Sequence, residues 1–110
     1  MAIYDISLKQ GETWSKVLTL KDDNDSVINV TNDTFRGQVR KHHSSTDIQA
    51  TFTFTITDGT NGVVAWTLSA TDSAACSSGN LVYDIEWVKQ NGDVTRILEG
   101  LAEISPEVTK

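Results

Sequence analysis

Leu81, Tyr83, Ile85 and Trp87 recur at every second position with Asp84 and Glu86 between them. Only an extended backbone puts such a set on one face and the carboxylates on the other, because on a helix residues two apart point away from each other. Asn91-Gly92 follows, a pair that accepts the positive φ of a tight hairpin turn. On the return arm Val94, Leu98 and Ile104 fall at even positions against Thr95, Glu99 and Glu103 at odd ones. The stretch from Leu81 to Thr109 therefore reads as a β-hairpin. Ile97 and Leu101 break the alternation, which turns some apolar side chains outward.

Shorter runs of the same kind precede it, separated by Gly, Asn, Asp and Ser clusters. Ile3 to Leu8 reads as a first strand and Thr13 to Lys21 as a second, with Gln10-Gly11 as the break. Lys21 to Ser26 is a turn, Val27 to Val30 returns briefly, and Thr34 to Lys41 points Phe35, Gly37 and Val39 inward. After a loop over His42 to Asp47, Ala50 to Thr57 is the clearest strand, with Phe52, Phe54 and Ile56 on one face and four Thr on the other. β-branched Thr favours the extended backbone and tolerates water. Asp58 to Gly62 turns the chain into a strand with Val64, Trp66 and Leu68 inward, a hairpin being the simplest connection. Ser69 to Asn80 changes character. It is Ala-rich with Ser and Thr able to cap, so one short helical turn is expected near residues 70–77, ended by Gly79-Asn80, where the chain crosses between sheets. Pro106, the sole proline, marks the close of the last strand. Regularly spaced short strands of this kind predict an all-β sandwich or barrel, with residues 1–110 as one domain.

Composition narrows the function classes. The hydrophobic share is 38%, so the three Trp, three Phe and two Tyr must fill much of the core. A net charge of -6 repels phosphate backbones and anionic headgroups. Neither nucleic acid nor a membrane is an expected partner. The basic run Arg40, Lys41, His42, His43 is too short for a basic groove and is followed by no stacking aromatics. With a single cysteine, Cys76, no internal disulfide can form, which suits assembly in a reducing compartment. Cys76 itself reads as a small semi-buried thiol. The opening MAIYDISLK has no apolar run of signal-peptide length, and the chain is expected neither to be secreted nor to span a membrane.

Chemistry-bearing arrangements are sparse. His42-His43 with Asp47 is the nearest approach to a metal cluster, yet adjacent His on an extended chain diverge. Asp22, Asp23, Asn24 and Asp25 are spaced like part of a calcium loop, but Val27 stands at the sixth position and no Glu at the twelfth, so an Asx-rich turn accounts for them. Asp84 and Glu86 share the wet face of a strand rather than an acid-base pocket. No nucleophile elbow, P-loop or dinucleotide fingerprint is present. No enzymatic activity and no cofactor are expected.

Three longer stretches, SLKQGETWSKVLTLKDDNDSVINVTNDTFRGQVRK, GVVAWTLSATDSA and YDIEWVKQNGDVTRILEGLAEISPEVT, together resemble a group of small tailed-bacteriophage virion proteins. They are also similar to the immunoglobulin-like N-terminal domain of phage baseplate upper proteins. The most specific parts are Gly11-Glu12-Thr13, Arg36-Gly37-Gln38-Val39-Arg40, Tyr83-Asp84-Ile85-Glu86, Arg96-Ile97-Leu98-Glu99-Gly100 and Ser105-Pro106-Glu107-Val108-Thr109. The resemblance implies a single immunoglobulin-like antiparallel β-sandwich, attached to or built into a phage particle assembled in the host cytoplasm, with no catalytic residues to carry over. Tyr83, just after the helical turn, stands where a tyrosine corner would form in such a fold, although Ile85 occupies the place of the antibody cysteine.

The partners implied are other phage structural proteins, subunits of the tail, neck, baseplate or capsid, met in multiple copies within a symmetric assembly. A tail, neck or baseplate position is the leading expectation, with capsid decoration as one alternative. A carbohydrate- or host-surface-binding module is another, if Trp14, Trp66 or Trp87 offers a stacking face; parity puts Trp66 and Trp87 in the core. The expected assembly interface comprises the chain ends, Ala2, Ile3 and Tyr4 or Glu107 and Val108 on to Lys110, because exposed sheet rims can join partner chains.

Overall fold

Alternation of apolar and polar residues builds two facing sheets. The computed structural model describes residues 2–108. In chain order its elements are β1 (Ala2–Ile3), β2 (Ile6–Lys9), β3 (Trp14–Thr19), β4 (Thr34–Arg40), β5 (Ile48–Thr51), β6 (Thr53–Asp58), β7 (Val63–Leu68), α1 (Ala70–Ala75), β8 (Gly79–Val88) and β9 (Val94–Ser105). The larger sheet runs β1-β9-β8-β4-β5, with β2 also on β9, and the smaller runs β3-β7-β6. In immunoglobulin lettering these are the A, G, F, C and C′ strands against B, E and D, so the strand order itself is that of an immunoglobulin-like sandwich. Pairing is antiparallel except where β1 and β2 add parallel to β9.

Trp66 is fully buried at the centre. Phe52 and Trp14 meet it edge-on with ring centres 5.2 and 4.7 Å away, and Tyr83 lies tilted against it at 5.5 Å. Edge-to-face contacts of this kind add to the area that large rings remove from water. A second cluster, Leu20, Val30 and Val64, fills one end of the sandwich.

Several expected elements divide or shorten. The first strand breaks at Tyr4-Asp5 into β1 and β2. The run Ala50 to Thr57 is two strands, because the chain leaves the larger sheet at Phe52 and joins the smaller one. Even-numbered side chains enter the shared interior on both sides of that crossing, so the alternation passes through it unmarked. Val27 to Val30 forms no strand; a bridge joins Val27 to Lys21, and the Ile28 and Val30 N–H groups donate to the Leu20 and Gly59 carbonyls. The helical turn is α1, capped by Ser69 and closed at Cys76, so that Gly79-Asn80 begins β8 rather than ending the helix. As expected, α1 carries the chain between sheets. The irregularity in β9 is a bulge: Ile85 pairs with Leu98 but Glu86 pairs with Arg96, leaving Ile97 over. Parity reverses there. Ile97 packs against the core while Val94, expected inward, is exposed.

Gly37 lies on the inner face of β4 beneath Phe52 and Phe54. A Cβ there would fall 2.9 Å from the Asp84 carbonyl oxygen and 3.2 Å from each ring. Gly37→Ala is therefore expected to lower stability by about 1–3 kcal/mol through overpacking, read as a lower urea midpoint with unchanged slope.

Candidate assembly surface

The N-terminal segment is fastened to β9 by contacts from three directions. The Tyr4 N–H donates to the Glu99 carbonyl at 2.8 Å, and the Asp5 carboxylate accepts from the Leu101 N–H at 3.0 Å. The buried Tyr83 hydroxyl donates to the Tyr4 carbonyl. Gly100, opposite Tyr83 in the ladder, makes room for that carbonyl, because a Cβ on it would collide with the Tyr4 backbone. From the smaller sheet, the Lys16 ammonium lies 4.9 Å from the centre of the Tyr4 ring. Parity places Tyr83 inward. The destination of its hydroxyl is visible only once β1 and β9 are side by side, and it differs from the expected tyrosine corner, which bonds a few residues upstream.

This latch leaves apolar side chains facing water. Ile3 is 77% exposed and Leu101 47%, and both border a shallow depression with Val82 and Gly100, rimmed by Asp5, His43 and Glu99, on the outer face of the larger sheet. Ala2 is in register with Leu98. The other expected end segment lies elsewhere. The Glu107 N–H donates to the Gln10 side chain at 2.9 Å, and Gln10 in turn donates to the Cys76 carbonyl at 2.7 Å. Val108 is 97% exposed. Ile3 is level with Glu99 and Lys9 with Ser105, a separation of roughly 20 Å at about 3.3 Å per residue. The two ends thus form separate surfaces; Thr109 and Lys110 lie outside the described residues.

The remaining faces differ in charge. On the outer face of the larger sheet Arg36 pairs with Glu86 at 2.7 Å and Arg96 with Asp84 at 3.4 Å; such exposed pairs contribute at most about 1 kcal/mol. Asp84 and Glu86 also line an open depression of about 240 Å³ with Gln38, Arg40, His42 and His43. The outer face of the smaller sheet presents Ser15, Val17, Thr55, Ala65 and Thr67, small and uncharged.

Asp22 accepts from the backbone of Asn24 and Ser26 at 2.9 and 3.0 Å, the Asx turn expected. His42 meets Ser44 at 3.1 Å. Among the described residues no group of three or more His, Cys, Asp or Glu is placed to hold a metal ion, and no helix is long and apolar enough to cross a membrane. Cys76 is fully buried rather than semi-buried. Desolvation, with the nearby Asp72 charge, pushes its thiol pKa up and disfavours the thiolate. Trp66 is buried, but Trp87 is only half-buried, its indole N–H donating to Asp33 at 2.8 Å.

Burial, reinforced by the Asp5 charge and by Tyr4, also raises the Tyr83 pKa above its ordinary value of 10.0. The folded protein therefore favours the neutral phenol. Below the ordinary value both states hold the proton; above it the unfolded chain releases its proton first, so stability falls as pH rises toward the folded pKa. Tyr83→Phe is expected to lose about 1–2 kcal/mol at neutral pH from the missing hydrogen bond. It should also flatten the alkaline decline in urea titrations, leaving the part due to Cys76 and other groups. An unchanged alkaline slope would remove Tyr83 from that account.

No family model and no curated protein matches the sequence. Among solved structures, the crystal structure of the Lin-41 filamin domain is similar with a TM-score of 0.49 and 15% identity, over 90% of this chain and 82% of that one. Murine CRIg is similar with a TM-score of 0.40 and 8% identity, over 94% of this chain and 92% of that one. The immunoglobulin-like assignment rests on the strand order described above.

Proposed function

We propose that this chain is a non-enzymatic structural protein of a tailed-bacteriophage particle, docking in multiple copies on the tail, neck or baseplate. The observation that carries the reading is the latch at Tyr4, Tyr83 and Gly100, which holds Ile3 and Leu101 outward as an apolar patch on a fixed sheet edge. A single exposed Leu needs no explanation, but apolar side chains of adjoining strands presented together suit a protein partner.

The resemblance to virion proteins supplies the kind of partner. Its segments Arg36–Arg40, Tyr83–Glu86 and Arg96–Gly100 lie on β4, β8 and β9, adjacent in the larger sheet. They also join one another, through the Arg36–Glu86 and Arg96–Asp84 pairs and the Tyr83–Gly100 register. The outward residues of these three segments, Arg36, Gln38, Asp84, Glu86 and Arg96, thus share the outer face of the larger sheet, while Gly37, Val39, Tyr83 and Ile85 between them face the core.

In purified particles from cells carrying this gene, mass spectrometry should find the chain, and a cryo-EM map should place it on the tail, neck or baseplate. Density on the shell would assign capsid decoration instead, and absence from particles despite expression would end the reading. Ile3→Asp with Leu101→Glu should fold with stability changed by no more than about 0.5 kcal/mol, as surface substitutions do. Burying Ile alone is worth about 1.5–3 kcal/mol, so incorporation should fall at least tenfold.

A further inference from the structure

We propose that the free edge of β9 at Val94–Ile97, together with the apolar groove beside it, takes an extended segment of another polypeptide by strand addition. β9 is paired with β8 along its length, but on its other side β1 begins only at Leu98 and β2 at Ala102. Among the described residues, 94–96 therefore have a ladder neighbour on one side alone, and the bulged Ile97 has none. Backbone donors and acceptors in such a position are a template for a further strand.

The groove beside this edge has a volume of about 490 Å³ and is lined by Leu18, Leu20, Ile28, Trp87, Ile97 and Leu98. Its floor is the margin of the second core cluster: Leu18, Ile28, Trp87 and Ile97 are partly buried against Leu20, Val30 and Val64. The bulge turns Ile97 into it. A segment added in line with β1 would run parallel to β9, cover four residues in about 13 Å, and drop alternate side chains toward the groove. Branched apolar residues at every second position suit that geometry.

Charge points to the segment's other positions. The charged residues of the lining are Lys21 and Arg96, both cationic in a chain of net charge -6. Their present carboxylate contacts, Asp25 at 3.5 Å for Lys21 and Asp84 at 3.4 Å and Glu99 at 3.8 Å for Arg96, are largely solvent-exposed pairs that hold them weakly. The occupant is accordingly an extended segment of alternating branched apolar residues with Asp or Glu flanking them. This inference stands on the groove and strand edge alone, independent of any phage particle.

The test selects binders from a random dodecapeptide library on the immobilised full chain and measures them with the purified protein. Selected peptides should show alternating apolar residues with acidic flanks. They should slow amide exchange of residues 95–97 at least tenfold, shift Trp87 emission to the blue, and bind more weakly as salt rises. Ile97→Lys should weaken binding at least thirtyfold; because that change also touches the core, Arg96→Glu at the exposed rim is the second variant, expected to weaken it about tenfold. Ile3→Asp should leave it unchanged. Failure to recover peptides, or peptides that leave residues 95–97 exchanging and bind both groove variants equally, would overturn the proposal. Concentration-dependent protection of those amides without peptide would also overturn it, by making a second copy of this chain the occupant.

Discussion

The packing of Trp66 between the sheets is the contact on which the remaining architecture rests. With a hydrophobic share of only 38%, the chain lacks the aliphatic mass to fill a sandwich uniformly and concentrates its burial in rings. Phe52, Trp14 and Tyr83 surround Trp66 within 6 Å, each from a different part of the chain. This explains the glycine on β4, where Phe52 and Phe54 occupy the space a side chain would need. It also explains why the chain changes sheets at Phe52: the ring is the corner post, and the strands on either side belong to opposite layers.

Tyr83 links that core to the rim. One face of the residue belongs to the aromatic cluster, while its hydroxyl reaches the Tyr4 carbonyl across Gly100. An edge strand of two residues has little ladder energy of its own. Fastening β1 through a residue already fixed by core packing makes the position of Ile3 a consequence of the core, so that an exposed apolar side chain is presented in a defined place.

Much of this architecture could be read from residue order, and the failures share a cause. Strands with one wet face, such as Leu81–Trp87 and Val63–Leu68, declare themselves by period two, and Ser69 with its Ala-rich sequel declares α1. Period two reports which side faces the interior and is silent about which sheet a strand joins; the crossing at Phe52 and the parting of β1 from β2 were hidden for that reason. The interruption at Ile97 was visible as an anomaly, but a bulge and a misplaced apolar residue look alike until the partner strand supplies the register. Long-range polar contacts were the least accessible part. Nothing local connects Tyr83 with Tyr4, or Glu107 with Gln10, and the candidate chain ends were separated along β9 only when the parallel register was known.

β9 unites these observations because its outer edge is divided. From Leu98 onward it is occupied by the chain's own β1 and β2, and before Leu98 it has no neighbouring strand among the described residues, beside Leu18, Ile28 and Trp87. The bulge marks the boundary. An edge covered along its whole length would offer partners side chains alone, and one bare along its whole length would invite indiscriminate pairing. Dividing it confines backbone-mediated addition to four residues and places them beside a groove that selects for side-chain shape. The apolar patch at Ile3 and Leu101 lies beyond that boundary on the outer face, so a partner could engage the patch and the open edge through different chemistries, one by apolar burial and the other by main-chain hydrogen bonds.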